Sequence, residues 1–475
     1  MFIGRKNELK KLEKLYLSEQ FECIVMYGRR RVGKTTLINE FCKNKPTIYF
    51  TGIEASSKIN LENLSDSIFR YAMPQTDAYP IFENYQRALD YIHDLAREKQ
   101  LVVVFDEYPY LASSERSISS ILQLYIDTKF KDSKGFLILC GSSMSFMEKQ
   151  VLGYQSPLYG RRTAQMKVTA FDYKDTSLFY PHYSSEDQAL LYGITGGVPS
   201  YIEKFNPKDS IEQNIVEKVL DDSSYLFEEP GNLLKQELRE PQWYNSIITA
   251  IARGASRLND VALSVGIASS LCSVYLQTLQ SLGIVKKETP FGEGSTRKTI
   301  YRIEDNLFLF WYRYIAKHVS SVTQGNGEYL FETHIKPYLN DYMGIVFEKM
   351  CMEFLQRENH LHYLPFFFPS IGRWWGTDPK RRIQVEIDIV AASQIEKKIL
   401  VGECKYRSER TGLEVYNNLM NNSKVLSKNY AETYYSLFSK SGFSVGLKEQ
   451  VKENPNVLLF TLSDLYNLPQ LKGAE

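Results

Sequence analysis

The run Tyr27-Gly28-Arg29-Arg30-Arg31-Val32-Gly33-Lys34-Thr35-Thr36 constrains this chain more than any other feature. It fits the pattern GxxxxGKT and directly follows the apolar stretch Cys23-Ile24-Val25-Met26. Two glycines let successive backbone N–H groups curl around phosphates, so Gly28, Arg29, Arg30, Arg31, Val32 and Gly33 are expected to cradle a nucleotide such as ATP or ADP. Lys34 then reaches the β- and γ-phosphates, and the Thr35 hydroxyl meets Mg²⁺. Thr36 opens the amphipathic continuation Thr36-Leu37-Ile38-Asn39-Glu40-Phe41. A helix starting near Gly33 adds its positive end to the anion.

The segments around this loop predict an α/β fold with a parallel sheet. Short, continuously apolar runs at Glu22–Tyr27, Thr47–Thr51, Leu101–Phe105, Phe136–Cys140 and Ala164–Thr169 read as strands. Helical patterns at Leu9–Leu17, Thr35–Lys43 and Asn84–Lys99 separate or precede them. Strands apolar on both sides imply a sheet covered on both faces.

The strand Leu101-Val102-Val103-Val104-Phe105 delivers two carboxylates, Asp106 and Glu107. Asp106 is expected beside Thr35 as a Mg²⁺ ligand, and Glu107 as the group that polarises the attacking water. The next apolar strand ends in Gly141-Ser142-Ser143, where Ser142 either senses the γ-phosphate or begins a loop. Leu158-Tyr159-Gly160-Arg161-Arg162 precedes the last strand. Arg161 and Arg162 either stabilise phosphoryl-transfer charge, within the subunit or across an interface, or form a solvated basic turn.

Together with Phe2-Ile3-Gly4-Arg5-Lys6-Asn7-Glu8 and Gly196-Gly197-Val198-Pro199-Ser200-Tyr201, these motifs resemble the archaeal-type ATPases of the STAND-like branch of the AAA+ superfamily. The resemblance implies that Ile3, Gly4 and Arg5 lie near the adenine, and that the GGVP turn begins a lid over the nucleotide. It spans the whole chain, with a winged helix and a C-terminal domain resembling the PD-(D/E)XK nuclease fold after the ATPase. The domain boundaries expected are 1–170 for the ATPase core, 171–235 for a helical lid, 236–325 for a winged helix-turn-helix and 326–475 for the nuclease-like domain.

Residues from this last region carry their own signal. Val385-Glu386-Ile387-Asp388-Ile389-Val390 alternates apolar and acidic, which puts Glu386 and Asp388 on one strand face. A short turn leads to Ile399-Leu400-Val401-Gly402-Glu403-Cys404-Lys405, where Glu403 and Lys405 share a face. Upstream, Glu348 flanks a buried helical stripe of Phe347, Cys351, Phe354 and Leu355. Glu348, Asp388 and Glu403 suit one or two Mg²⁺ ions, and Lys405 suits a water-positioning or charge-neutralising role in phosphodiester cleavage. Lys380, Arg381, Arg382, Arg407 and Arg410 can grip backbone phosphates of a nucleic acid. The same pattern also suits an exposed, charged hairpin without activity, in a nucleotide-gated signalling or assembly protein.

The presumed winged helix reads as three amphipathic stretches, Trp243–Arg253, Leu258–Val265 and Ser270–Leu282, followed by strands Ile284–Thr289 and Lys298–Ile303. Its presumed recognition helix, Ser269–Gln280, carries no Lys or Arg and only two glutamines, which disfavours base readout; Lys286, Lys287, Arg297 and Lys298 of the wing offer phosphate contacts. A domain that packs internally or meets a protein partner fits better. Phe308-Leu309-Phe310-Trp311-Tyr312 reads as core. A net charge of +1 gives no global field for nucleic acid or membrane. No apolar run nears the roughly 20 residues a membrane span requires. Six cysteines without paired spacing suit reduced thiols, and the expected location is cytoplasmic. An arginine acting across an interface would require a homo-oligomer.

Overall fold

A computed structural model describes residues 2–75, 79–294 and 297–467. It forms two compact units, Met1–Ala170 with Val198–Ser200, and Phe171–Gly197 with Tyr201–Glu475.

In the first unit, strands β1 (Glu22–Tyr27), β2 (Thr47–Thr51), β3 (Leu101–Asp106), β4 (Gly135–Gly141) and β5 (Ala164–Lys167) form one sheet in the order β2-β3-β4-β1-β5. Every pairing is parallel. Every residue of β1, β3 and β4 is buried, because each strand feeds two cores. Cys23, Val25 and Tyr27 join Val103, Phe105 and Leu139 on one face, while Ile24 and Met26 join Leu37, Ile38 and Val104 on the other. Burying such a side chain stabilises the unit by about 1.5–3 kcal/mol each, which explains the unbroken apolar runs. Parallel strands all end at the same sheet edge. That edge receives the loop after Tyr27, Asp106 at the end of β3, and Ser142 after β4. With β4 between β1 and β3, Ser142 stands between the loop and Glu107.

In the second unit, helices occupy most of residues 173–237. Three more helices, Pro241–Ala252, Leu258–Val265 and Ser269–Ser281, precede an antiparallel hairpin of β6 (Val285–Glu288) and β7 (Ile300–Ile303). Val285, Tyr301 and Ile303 pack into the core of those helices. Strand alternation therefore turns Lys286, Glu288, Ile300 and Arg302 to the other face. Leu307, Phe308 and Phe310 are fully buried.

Next come helix Leu339–His360 and a five-stranded sheet of β8 (Ser370–Asp378), β9 (Ile383–Ser393), β10 (Lys398–Lys405), β11 (Glu432–Ser439) and β12 (Val457–Thr461). Its order is β12-β11-β10-β9-β8. The pairs β8–β9 and β9–β10 are antiparallel, and β10–β11 and β11–β12 are parallel. Helix Leu339–His360 packs on one face, with the Phe354 ring 4.9 Å from that of Phe460. Val415, Tyr416 and Leu419 of helix Leu413–Ser427 join Ile399 and Val401 in a separate core. Phe347, Cys351, Phe354 and Leu355 are fully buried.

The strict period of two expected through Glu386–Val390 fails. Gly372 pairs with Val390 but Trp374 pairs with Ile387, so β9 advances three residues while β8 advances two. A bulge across Asp388–Ile389 absorbs the extra residue and re-aims the acidic side chain. Among the described residues no single helix is long and apolar enough to cross a membrane.

Candidate functional sites

The loop of the first unit is built tightly. Gly33 has φ +86°, a left-handed conformation that favours glycine, and opens helix Lys34–Cys42. A Cβ on Gly28 would lie 2.1 Å from the Val168 carbonyl oxygen, so no other residue fits there without moving the chain. Arg5, buried at the start of helix Lys6–Tyr16, donates to the carbonyls of Val32 (2.9 Å) and Thr169, and pairs with Glu8 at 3.2 Å. It therefore supports the loop from behind. Pro199 lies beside Gly33, its Cγ 3.6 Å from where a Cβ would stand, so the GGVP turn returns to the loop.

Lys34 Nζ donates to the carbonyls of Gly28 (2.8 Å) and Arg29 (3.0 Å), and burial lowers its pKa. Thr35 Oγ1 donates to Asp106 Oδ2 at 3.1 Å. Two neighbouring ligands of an octahedral Mg²⁺ stand about 3 Å apart, so this oxygen pair fits such an ion. Glu107 has φ 48°, unusual for a residue with a side chain and a mark of local strain. Its Oε2 accepts from Ser142 Oγ at 2.9 Å. Ser142, expected to sense a phosphate, thus orients Glu107. Arg30 Nη2 donates to the Tyr110 hydroxyl at 3.1 Å.

The sequence reading missed Tyr49, whose hydroxyl donates to Asp106 Oδ2 at 2.7 Å. Its signal was faint: a tyrosine two residues before the end of β2, where Thr51 pairs with Asp106. For Arg161 and Arg162 the expectation is open between a phosphoryl-transfer role, within the subunit or across an interface, and a solvated basic turn. They precede β5, which begins beside Ile24, so their backbone lies towards the start of the sheet, while the Arg162 charge acts on both Cys23 and Tyr27. Arg161 there makes a bidentate pair with Asp127 at 3.2 and 3.1 Å.

The second unit brings Glu348, Asp388, Glu403 and Lys405 into one region. Asp388, beyond the last β9–β10 pair at Ile389–Gly402, accepts the Cys404 N–H at 2.9 Å and so replaces a strand hydrogen bond. Lys405 Nζ donates to Glu403 Oε1 at 2.5 Å. Burial raises the pKa values of Glu348, Asp388 and Glu403, and the Asp388 charge raises those of Glu348 and Glu403 further.

The expected three-carboxylate metal cluster is not assembled as it stands. Among the described residues no group of three or more His, Cys, Asp or Glu side chains is arranged to hold a metal ion. The reason is local charge balance: Arg373 Nε lies 3.3 Å from Glu348 Oε2, and Lys405 holds Glu403. The donors are nonetheless all oxygens of crowded carboxylates, a set suited to a hard divalent cation once those pairs open. Arg302 and Arg373 gave no sequence signal, since their shared partners Glu348 and Glu288 lie on a helix and on the β6 strand, far apart in the chain. Two of the four cations assigned to the wing are also paired: Lys286 with Glu288 (3.2 Å) and Lys298 with Glu293 (2.7 Å). Arg381 pairs with Asp378 at 2.6 Å, and Arg407 with Glu414 at 3.7 Å.

The parallel sheet, glycine loop and acidic strand end of the first unit define a P-loop ATPase. Residues 2–205 match the model of an ATPase domain predominantly from Archaea, and residues 311–417 match a domain described as archaeal and bacterial proteins of unknown function. The chain is 34% identical over 473 residues to an uncharacterized protein of Methanocaldococcus jannaschii, covering 98% of this chain and 100% of that one. The chain belongs to this family of archaeal ATPases. An uncharacterized ATP-binding protein of the same organism is 51% identical over 45 residues, 10% of this chain and 76% of that protein. Among solved structures, the Walker-type ATPase PABY2304 of Pyrococcus abyssi shares the fold, with TM-score 0.51 and 20% identity over 66% of this chain and 96% of that one.

Proposed function

We propose that ATP binding and hydrolysis in the first unit drive a metal-dependent, nuclease-like site in the second unit that acts on nucleic acid. In this reading residues 236–325 are a winged helix within the second unit, after a lid at 171–235, and residues 326–475 have the PD-(D/E)XK fold. Lys34 neutralises the terminal phosphates, and Glu107, steadied by Ser142, takes the proton of the attacking water. Thr35 and Asp106 would hold Mg²⁺, which supplies charge neutralisation at the phosphates. Arg161 and Arg162 either stabilise phosphoryl-transfer charge, within the subunit or across an interface, or form a basic turn, in which Arg161 is paired with Asp127.

The observation that carries the nuclease reading is the bulged Asp388 beside Glu403 and Lys405, with Glu348 close enough to raise its pKa through the Asp388 charge. Glu348, Asp388 and Glu403 would hold a divalent cation that activates water, and Lys405 would meet the developing phosphorane charge. A second reading, a non-catalytic scaffold in a nucleotide-gated switch, is favoured by one feature: Glu348 and Glu403 are already matched by cations of the chain.

The test is incubation with Mg²⁺ or Mn²⁺ and plasmid, single-stranded DNA or RNA, comparing wild type with Asp388→Ala and Lys405→Ala. Cleavage by wild type alone supports the enzyme. Absence of cleavage on every substrate sinks it in favour of the scaffold. Coupling is abandoned if Lys34→Ala leaves cleavage and nucleic-acid binding intact.

A further inference from the structure

Five charged side chains from five elements meet at the edge of the carboxylate site. Arg373 of β8 places Nε 3.3 Å from Glu348 Oε2 and Nη1 3.6 Å from Glu288 Oε2, and its Nη2 is bonded to Glu386 Oε1. Arg302 of β7 places Nη1 3.8 Å from Glu348 Oε2 and 3.9 Å from Glu288 Oε2. Glu348 is on helix Leu339–His360, Glu288 on β6 and Glu386 on β9. The hairpin is strapped over the sheet, with Phe291 N–H donating to the Arg373 carbonyl (2.7 Å) and Trp375 Nε1 to the Lys298 carbonyl (3.1 Å). An open cleft of about 360 Å³ runs alongside, lined by Tyr301, Arg302, Arg313, Ile345, Arg373 and Glu386.

We propose that Arg302 and Arg373 form a displaceable clamp for a phosphodiester, closed on Glu348 in the arrangement seen and released to the cleft when a divalent cation takes the carboxylates. The proposal rests on the metal-dependent reading of Glu348, Asp388 and Glu403. A partly buried ion cluster of this kind adds little stability, since apolar residues of equal volume commonly do as well. Its value lies in exchange. A cation drawn to Glu348 and Asp388 repels the two guanidiniums, and a half-buried guanidinium that loses its carboxylate is costly until another anion answers it. A phosphate accepts two parallel N–H bonds from such a fork. The cleft already carries a third guanidinium, Arg313. Cation and phosphodiester therefore promote each other's binding, by the same factor in both directions.

The experiment uses the full chain, Mn²⁺ titrated by the electron paramagnetic resonance of the free ion, and a short fluorescent phosphorothioate duplex followed by anisotropy. Wild type is expected to bind the duplex about 10-fold tighter with Mn²⁺, and Mn²⁺ about 10-fold tighter with duplex. Arg302→Gln is expected to bind Mn²⁺ alone at least as tightly as wild type while that mutual gain falls towards one. Arg373→Gln, at a more buried position, repeats the measurement in a second variant. Independent binding by wild type, or full coupling in Arg302→Gln, overturns the clamp and leaves the metal reading standing. Failure of all three proteins to bind Mn²⁺ overturns the metal reading, and the clamp with it.

Discussion

The two acidic sites of this chain are held in place by opposite means. In the ATPase unit the carboxylates are oriented by neutral donors: Asp106 by the hydroxyls of Thr35 and Tyr49, and Glu107 by that of Ser142. In the second unit Glu348 and Glu403 are answered by Arg373 and Lys405. Neutral partners fix geometry without cancelling charge, and Lys34, whose charge also acts on Asp106 and Glu107, is held by the Gly28 and Arg29 carbonyls and not by either carboxylate. Internal cations cancel charge, so the second site has to exchange partners before it can take one. One site is ready in its structure, and the other is conditional.

The largest expected effect breaks the first half of that contrast. Glu107→Gln preserves shape but removes the base, and steady-state phosphate release is expected to drop by about 10²–10⁴-fold with ATP binding retained. Lys34→Ala should lower turnover by about 10²–10³-fold, because a single preorganised charge facing the phosphates has no substitute. Gly28→Ala tests the loop's foundation. Its new methyl group meets the Val168 carbonyl at 2.1 Å, and the unit should lose about 1–3 kcal/mol, read as a lower melting temperature in the first unit.

Glu353 sharpens the comparison from inside the second unit. Tyr192 donates to it at 2.7 Å and the Tyr173 N–H at 3.3 Å, while Lys349 and Asp172 also act on it. Burial dominates and raises its pKa from 4.5 to about 7. The folded state then holds a proton that the unfolded chain releases, so stability falls as pH rises from 4.5 through 7, by at most about 1.4 kcal/mol per pH unit. Glu353→Gln should flatten that slope in denaturant titrations across the window. Smallest of all, Tyr49→Phe removes one hydrogen bond from Asp106 and should change ATP turnover by about 1 kcal/mol of barrier.

The legibility of each region followed the same divide. The parallel sheet could be read because its strands are buried on both faces and carry unbroken apolar runs, and because loop and acidic strand end are local motifs. Tyr49 escaped, since its role depends on which strand lies beside β3. Arg161 and Arg162 stayed open between a phosphoryl-transfer role and a solvated turn, because Asp127, which pairs with Arg161, lies 34 residues away in the sequence. In the second unit the alternation around Asp388 suggested the right neighbours but missed the bulge, which depends on pairing with β8. Arg302 and Arg373 could not be found at all, because the salt links that join them to Glu348 of a helix and Glu288 of β6 leave no periodic trace.

The supernumerary residue in β9 makes the acidic site depend on chain length as much as on side-chain identity. Removing Ile389 alone would let Asp388 fall back into regular step with β8 and carry its carboxylate away from Cys404, with every acidic residue still written in the gene. The contact between Asp388 and Cys404 is thus set by one residue of spacing, and in related chains it would be traced by counting residues between Trp374's partner and Gly372's partner, not by inspecting the acids themselves.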